Sequence, residues 1–225
     1  MHMKRLALHL SLPLLARLRH ARSGIAMTEF ALAAPFMMVL GAYGLETSNL
    51  ALTHLRMSQI SANLADTASR IGESSPTALK KIRESDIVDA FEAVRLQQGN
   101  TKLTTKGRII LSSLEQNASG GQWIHWQRCL GQKNVASSYG VAGDGATGTG
   151  FLGMGATGLK ITAPANSAVM FVEIIYDYQP LISNKLLGAK VVKTKAAFLV
   201  RDKRDLTEDN NPYGAETMTC NLFTT

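Results

Sequence analysis

One acidic side chain lies inside an otherwise apolar stretch near the N-terminus. Between residues 25 and 45 the one charged side chain is Glu29, and Gly24 directly precedes the stretch. A carboxylate at the centre of a membrane helix costs about 2.5–3.5 kcal/mol on insertion scales, and less near the helix end. Cleavage after Gly24 would create a cation, the α-amine of Ile25, which could pair with Glu29 of a neighbouring subunit. The simpler interpretation is a carboxylate that reaches the membrane interface on its own.

The apolar stretch has the length and the flanking charges of a membrane anchor. About 20 residues suffice for a helix to cross the hydrocarbon core, so residues 25–45 predict a transmembrane helix. Arg17, Arg19 and Arg22 precede it, whereas residues 45–55 contain Glu46 and no Lys or Arg. The positive-inside rule therefore places residues 1–24 in the cytoplasm as a leader and exports the rest. A cleavage site near residue 35 is the alternative, and it would release a soluble protein.

The basic character of the chain is concentrated in the leader. The formal net charge is +7, with 24 basic and 17 acidic residues, and residues 1–24 hold five of the basic residues and no acid. The remainder has 19 basic against 17 acidic residues, a net charge of +2. No basic patch with interleaved aromatic residues remains, so the composition argues against a nucleic-acid partner.

Two cysteines, Cys129 and Cys220, lie 91 positions apart and have no metal-ligand spacing. In an exported domain the natural interpretation is one disulfide. It would tie the C-terminal tail to the middle of the domain and contribute about 2–4 kcal/mol to stability. Two buried thiols are the alternative.

Other patterns that could do chemistry are weak. Residues 148–153 match G-x-G-x-x-G, but glycine-rich flanks replace the strand and helix that a dinucleotide site requires. We therefore interpret residues 140–158 as a mobile loop. Three of the five histidines fall in the leader, and His125 between Trp123 and Trp126 has the setting of a strand residue. The sequence predicts no metal site, no cofactor and no enzymatic activity.

Beyond the anchor the helical pattern continues and becomes amphipathic over residues 46–72. Apolar residues recur there at spacings near three and four, and Gly72 is a suitable stop. These residues are Leu52, Leu55, Met57, Ile60, Leu64, Ala68 and Ile71. Residues 74–76 begin a connection, and a second, short helix is predicted between Ser85 and Gly99.

The rest of the chain predicts strands. Four segments rich in β-branched and aromatic residues are bounded by Gly, Pro or Asn: residues 106–114, 122–129, 168–178 and 190–200. Residues 117–121 predict a hairpin turn between the first two. The expected fold is therefore α+β, with one long N-terminal transmembrane and stalk helix packed on a small, mainly antiparallel sheet. Residues 73–225 form the exported domain.

The N-terminal motif resembles a known class of signal. Residues 24–30, Gly-Ile-Ala-Met-Thr-Glu-Phe, are similar to type IV prepilins, in which a prepilin peptidase cuts after glycine and the fifth mature residue is glutamate. Residues 29–36, EFALAAPF, resemble more narrowly the TadE-like proteins of tight-adherence (Flp/Tad) pilus systems. Phe30 and Pro35 occupy the matching positions. Residues 172–180 and 196–201 are similar, more loosely, to the strands near the C-terminus of that family.

This resemblance implies a pilin-like fold and a function as a pseudopilin, a structural subunit needed for pilus assembly and cell adhesion. It implies cleavage between Gly24 and Ile25, with Glu29, Phe30 and Pro35 serving processing and assembly. The expected partners are the peptidase, other pilin or pseudopilin subunits and the bacterial inner membrane, with the domain in the periplasm. The alternative is a signal-anchored periplasmic binding or sensor domain without enzymatic activity.

Overall fold

One long helix begins the described structure. A computed structural model of the chain describes residues 23–72, 79–206 and 217–225. Of the predicted leader only Ser23 and Gly24 are described, and the predicted connection at 74–76 lies outside the described residues. Helix α1 runs from Ser23 to Arg70 and contains Pro35. A single helix therefore runs through the residues predicted as the anchor and those predicted as its continuation. The chain divides into two compact units, with the boundary between Thr47 and Ser48.

The described residues of the second unit form four strands and several short helices. Helix α2 (Glu84–Gln98) is followed by a 3₁₀ turn (Gly99–Thr101) and by α3 (Leu103–Lys106). The strands are β1 (Gly107–Gln116), β2 (Gln122–Leu130), β3 (Val169–Asp177) and β4 (Val191–Leu199), with α4 (Asn184–Leu187) before β4. All neighbouring strands are antiparallel, in the order β2-β1-β3-β4. The α+β prediction is confirmed, and each strand lies within two residues of its predicted bounds.

The outer part of α1 packs on one face of this sheet because its apolar residues repeat at helical spacing. Met57, Ile60, Leu64 and Ala68 are all at most 2 % exposed. They share a core with the inward side chains of the sheet and with one side of α2. The α2 residues are Ile87, Ala90, Phe91 and Val94, and the sheet residues are Ile109, Leu111, Trp126, Leu130, Met170, Val172, Ile174, Tyr176 and Val192.

A buried ion pair fixes the start of α2 against the sheet. The guanidinium of Arg128, on β2, donates from Nε to Oε1 of Glu84 at 2.6 Å, and its Nη2 also contacts that oxygen. Both side chains are at most 5 % exposed. Removing either partner of such a pair leaves an uncompensated buried charge, which typically costs 3–5 kcal/mol.

The opposite face of the sheet is covered by the connection between β2 and β3, residues 131–168. Leu114, Ile124, Val169 and Phe171 on the strands form a second core with Met154 and Ala163 of this connection. The glycine-rich segment 140–158, predicted to be a mobile loop, forms part of this covering layer, with Met154 buried and Phe151 half-buried.

Glycine is required where this layer touches the hairpin. The side-chain amide of Asn117 donates to the carbonyls of Gly145 and Gly148, both at 2.7 Å, while its oxygen accepts from the N–H groups of Ser119 and Gly121. Gly145 has φ +79°, and a Cβ there would lie 2.2 Å from the carbonyl oxygen of Gln122. The predicted hairpin turn at residues 117–121 is confirmed, and its asparagine also holds the covering layer.

We expect Leu64→Ala to lower the free energy of unfolding by about 2–5 kcal/mol, because the substitution leaves a cavity beneath the sheet. The matched control is Leu52→Ala on the same helix, where the side chain is 64 % exposed against 2 % for Leu64, and its effect should stay within about 0.5 kcal/mol. Urea unfolding of the detergent-solubilised protein, followed by the fluorescence of Trp123 and Trp126, measures both. Equal losses for the two variants would contradict the packing described here.

Candidate processing and assembly site

The predicted cleavage bond lies in the first turn of α1. Because the helix begins at Ser23, the bond between Gly24 and Ile25 is one of its first peptide units. Ile25 is 56 % exposed, and its carbonyl accepts a hydrogen bond from the hydroxyl of Thr28 at 2.8 Å. The structure therefore places the bond on the surface of residues 23–47.

Glu29 lies one turn further along and is exposed. Among the described residues it has no ion pair and no side-chain hydrogen bond. The intrachain contacts of the described residues thus leave the carboxylate available to a cation from outside this part of the chain.

Around Glu29 the helix surface is apolar on every side. Large apolar residues between 49 % and 74 % exposed cover it: Ile25, Met27, Phe30, Leu32, Phe36, Met37, Met38, Val39, Leu40, Tyr43 and Leu45. Among the described helices, one contains a stretch that is long and apolar enough to cross a membrane, and it belongs to α1. Nothing in that stretch is buried, so the described residues do not cover this surface. Length and composition are compatible with a membrane anchor, although a signal sequence would have them too.

Pro35 and two glycines lie within this apolar surface. Proline has no N–H, so the helix lacks one hydrogen bond at Pro35. A Cβ added at Gly41 or Gly44 would meet nothing within 4 Å. Packing within the described chain therefore gives no reason for glycine at these two positions.

The predicted disulfide is present between Cys129 of β2 and Cys220 of the C-terminal tail. Beside it the backbone of β2 also holds the tail. The N–H of Cys129 donates to the carbonyl of Met218 at 2.6 Å, and the N–H of Gly131 donates to that of Thr224 at 2.8 Å. The tail segment 217–225 is thus attached along the outer edge of β2.

A second attachment of the tail, which the sequence did not reveal, is Arg108 on β1. Its buried guanidinium donates to the carbonyls of Cys220 (2.6 Å), Leu222 (2.8 Å) and Gly131 (2.6 Å). The ring of Phe223 lies 4.5 Å from its Cζ. Burial lowers the pKa of Arg108 below its usual value, but an arginine remains charged at neutral pH. A lone arginine within a predicted strand carries no sequence signal of this role, because its acceptors are backbone carbonyls far along the chain.

A cluster of buried polar side chains occupies the helix-facing side of the sheet. His125 bonds through Nδ1 to the carboxylate of Glu115 at 2.9 Å and stacks on Trp123 at 4.1 Å. The hydroxyl of Ser113 donates to the same carboxylate at 2.5 Å. Serine hydrolases instead bond the nucleophile to the imidazole, and here all three polar side chains are buried. His125 is a strand residue, as predicted, and the hydroxyl of Ser113 bonds to Glu115.

Arg204 joins this cluster to the end of α1. Its Nη2 donates to the carbonyls of Ala68 (3.3 Å) and Ile71 (2.8 Å), which lie at the C-terminal end of the helix, where a cation is favoured. Burial lowers the pKa of Arg204 to about 10, although the nearby charges of Glu115 and Asp202 act in the opposite direction. The arginine is therefore a buried cation at neutral pH that closes the end of the helix.

Two further observations concern metal binding and the binding of a small molecule. In the described part of the chain no group of three or more His, Cys, Asp or Glu side chains could hold a metal ion. A groove of about 520 Å³ runs beside the outer part of α1. Its lining mixes polar and apolar side chains, among them Asn49, Leu52, Arg56, Tyr176 and Leu181.

Comparison with known proteins gives no relative: no protein-family model, no curated protein and no solved structure matches this chain. The functional argument therefore depends on the residues and their geometry.

We expect the disulfide and Arg108 to hold the tail independently. Replacing both cysteines by serine should lower the free energy of unfolding by about 2–4 kcal/mol while the tail stays bound to Arg108. Adding Arg108→Gln in that background should release residues 217–225. Hydrogen exchange measures the release as faster exchange of the Cys129 position (serine in this background) and of Gly131, whose N–H groups donate to tail carbonyls.

The matched control for Arg108→Gln is Arg201→Gln, which alters an exposed arginine outside the tail contacts. It should leave the exchange of both amides unchanged. Persistent protection in the triple variant would show that other contacts hold the tail.

Proposed function

We propose that this chain is a structural, TadE-like pseudopilin that takes part in the assembly of a tight-adherence (Flp/Tad) pilus. A prepilin peptidase cleaves it after Gly24, and residues 25–45 anchor it in the bacterial inner membrane with its domain in the periplasm. The observation that carries the proposal is the combination of an exposed Gly24–Ile25 bond with an exposed carboxylate, Glu29, on an uncovered apolar helix. The catalyst in this scheme is the peptidase, and the chain itself is not an enzyme.

Cleavage changes the electrostatics of the helix end. It creates an α-ammonium group at Ile25, which in a pack of parallel helices can reach Glu29 of a neighbouring subunit. Charges separated from water attract each other more strongly than in water, so the pair offsets the cost of placing the carboxylate in the membrane. The pairing also sets the axial position of each helix relative to the next.

The helix surface is suited to contacts with other helices. Apolar side chains with no partner in the described chain can be covered by lipid or by neighbouring subunits, and glycine lets helix backbones approach closely. Gly41 and Gly44 have open space beside them, which is consistent with such an approach.

The disulfide supports export. Disulfides persist in the periplasm and are rare in the cytosol, and Cys129 and Cys220 are joined in the second unit. Because this unit follows the anchor in the chain, a periplasmic location agrees with the orientation that the flanking arginines predict.

A signal-anchored binding or sensor domain is the second candidate. The groove beside α1 favours it, since its volume of about 520 Å³ is in the range of small-molecule sites. This candidate requires no cleavage, so the N-terminus of the mature protein separates the two.

We expect the membrane-extracted protein to begin at Ile25 when it is expressed with its peptidase. Gly24→Leu should abolish processing, because the bulky side chain lies at the cleaved bond. The matched control is Gly44→Leu on the same helix, which should be processed normally. N-terminal sequencing and intact mass measure the result.

Glu29→Gln tests the role of the carboxylate in assembly, because it removes the negative charge and keeps the size of the side chain. The variant should lose cross-linking to pilin subunits, and Glu29→Asp, which keeps the charge, should retain part of it. An intact N-terminus in the presence of active peptidase would overturn the processing claim. Cross-linking unaffected by Glu29→Gln would favour the binding or sensor domain.

A further inference from the structure

The two edges of the sheet differ in the backbone hydrogen bonds that they make to other described segments. On the outer edge of β2, the N–H of Ile124 donates to Asp144 at 2.9 Å, the carbonyl of Ile124 accepts from Gly143 at 2.8 Å, and the N–H of Cys129 donates to Met218 at 2.6 Å. That edge is therefore covered by residues 143–144 and by the tail. Strand β4 forms the other edge.

The register shows which groups of β4 face outward. The bonds from Tyr178 to Lys190 and from Val200 to Ala168 mark residues that bond to β3, and pairing continues without a shift between them. In an antiparallel pair such positions alternate. The alternate residues therefore direct both N–H and C=O away from β3: Val191, Lys193, Lys195, Ala197 and Leu199. No backbone hydrogen bond joins any of these five to another described segment.

Strand β4 has nine residues. Its outward N–H and C=O groups, which have no backbone partner in the described chain, can form hydrogen bonds with an added strand. The side chains flanking this edge indicate what kind of strand fits. From residue 190 to 201 there are four basic residues and no acid. Lys193 and Lys195 are exposed on the face of the sheet that also carries Tyr139, whose ring lies 5.1 Å from Nζ of Lys195. One internal carboxylate, Glu173, faces Lys195 across the strand pair, and it already accepts from Ser137 and Ser138.

A second copy of β4 is a poor partner. An antiparallel pair centred on this strand sets lysine opposite lysine, and like charges directly opposite each other are destabilising. A strand with carboxylates at alternate positions meets the same lysines with the opposite charge.

We propose that the free edge of β4 binds an extended, acidic segment of a partner protein as a fifth strand of the sheet. Main-chain hydrogen bonds to the outward-facing residues supply affinity, and Lys193 and Lys195 select carboxylates on the face that they share. This inference uses the second unit alone and does not depend on cleavage or on the pilus proposal.

The probe is a capped nine-residue peptide in which glutamate alternates with valine, added to the full chain in detergent micelles. Binding should slow the hydrogen exchange of the amides of Lys193, Lys195 and Ala197, which face outward. Those of Thr194 and Ala196 already bond to β3 and should change little. A peptide with lysine in place of glutamate should bind more weakly, by about 1.4- to 5-fold for each opposed pair.

N-methylation of the peptide tests strand addition without altering the protein. Methyl groups on the peptide nitrogens that face β4 should abolish binding, whereas methyl groups on the alternate nitrogens should leave it largely intact. Lys193→Glu should weaken binding of the acidic peptide by about 2- to 25-fold, because an attraction is lost and a repulsion gained. Lys203→Glu makes the same charge change on an exposed residue outside β4 and should have a much smaller effect.

Three results would overturn the proposal: no protection of the outward amides, equal effects of the two methylation patterns, or equal binding of the acidic and basic peptides. Protection of the same amides by self-association, without any peptide, would identify a second copy as the partner and would also overturn it.

Discussion

The contact between the outer part of α1 and the sheet is the constraint on which the second unit depends. A four-stranded sheet with one uncovered apolar face is not stable in water, and burial of large apolar side chains supplies about 1.5–3 kcal/mol each. Met57, Ile60, Leu64 and Ala68 provide much of that burial from the helix side. The helix that carries the candidate assembly signal at its N-terminus therefore also completes the core at its C-terminal end. Any movement of this part of α1 away from the sheet would expose that core.

The polar contacts follow from this arrangement. Once α1 and α2 cover one face, charged side chains within it must be paired or bonded. Glu84 pairs with Arg128, Glu115 bonds to His125, and Arg204 bonds to the carbonyls that end α1. Their burial and mutual bonding identify them as structural groups.

The segments outside the helices and strands cover the second face of the sheet and one of its two edges. Residues 131–168 cover the second face, and residues 143–144 with the tail cover the outer edge of β2. Arg108 and the disulfide fix the tail there. The described structure leaves two kinds of surface without a partner, namely the apolar end of α1 and the edge of β4. Both are suited to contacts with other proteins, and the first also to contact with lipid.

The sequence by itself determined the elements, because helical and strand periodicities are local. It predicted the long helix, the short α2, four strands within two residues of their bounds, and the pairing of the only two cysteines. The motif around Gly24 and Glu29 is likewise a matter of local spacing. The strand order, the carbonyl contacts of Arg108 and the pairing of Glu84 with Arg128 were decided only by the tertiary structure, since they join residues far apart in the chain. The same holds for the contacts of residues 140–158, since the side chain of Asn117, in the hairpin turn, binds the carbonyls of Gly145 and Gly148.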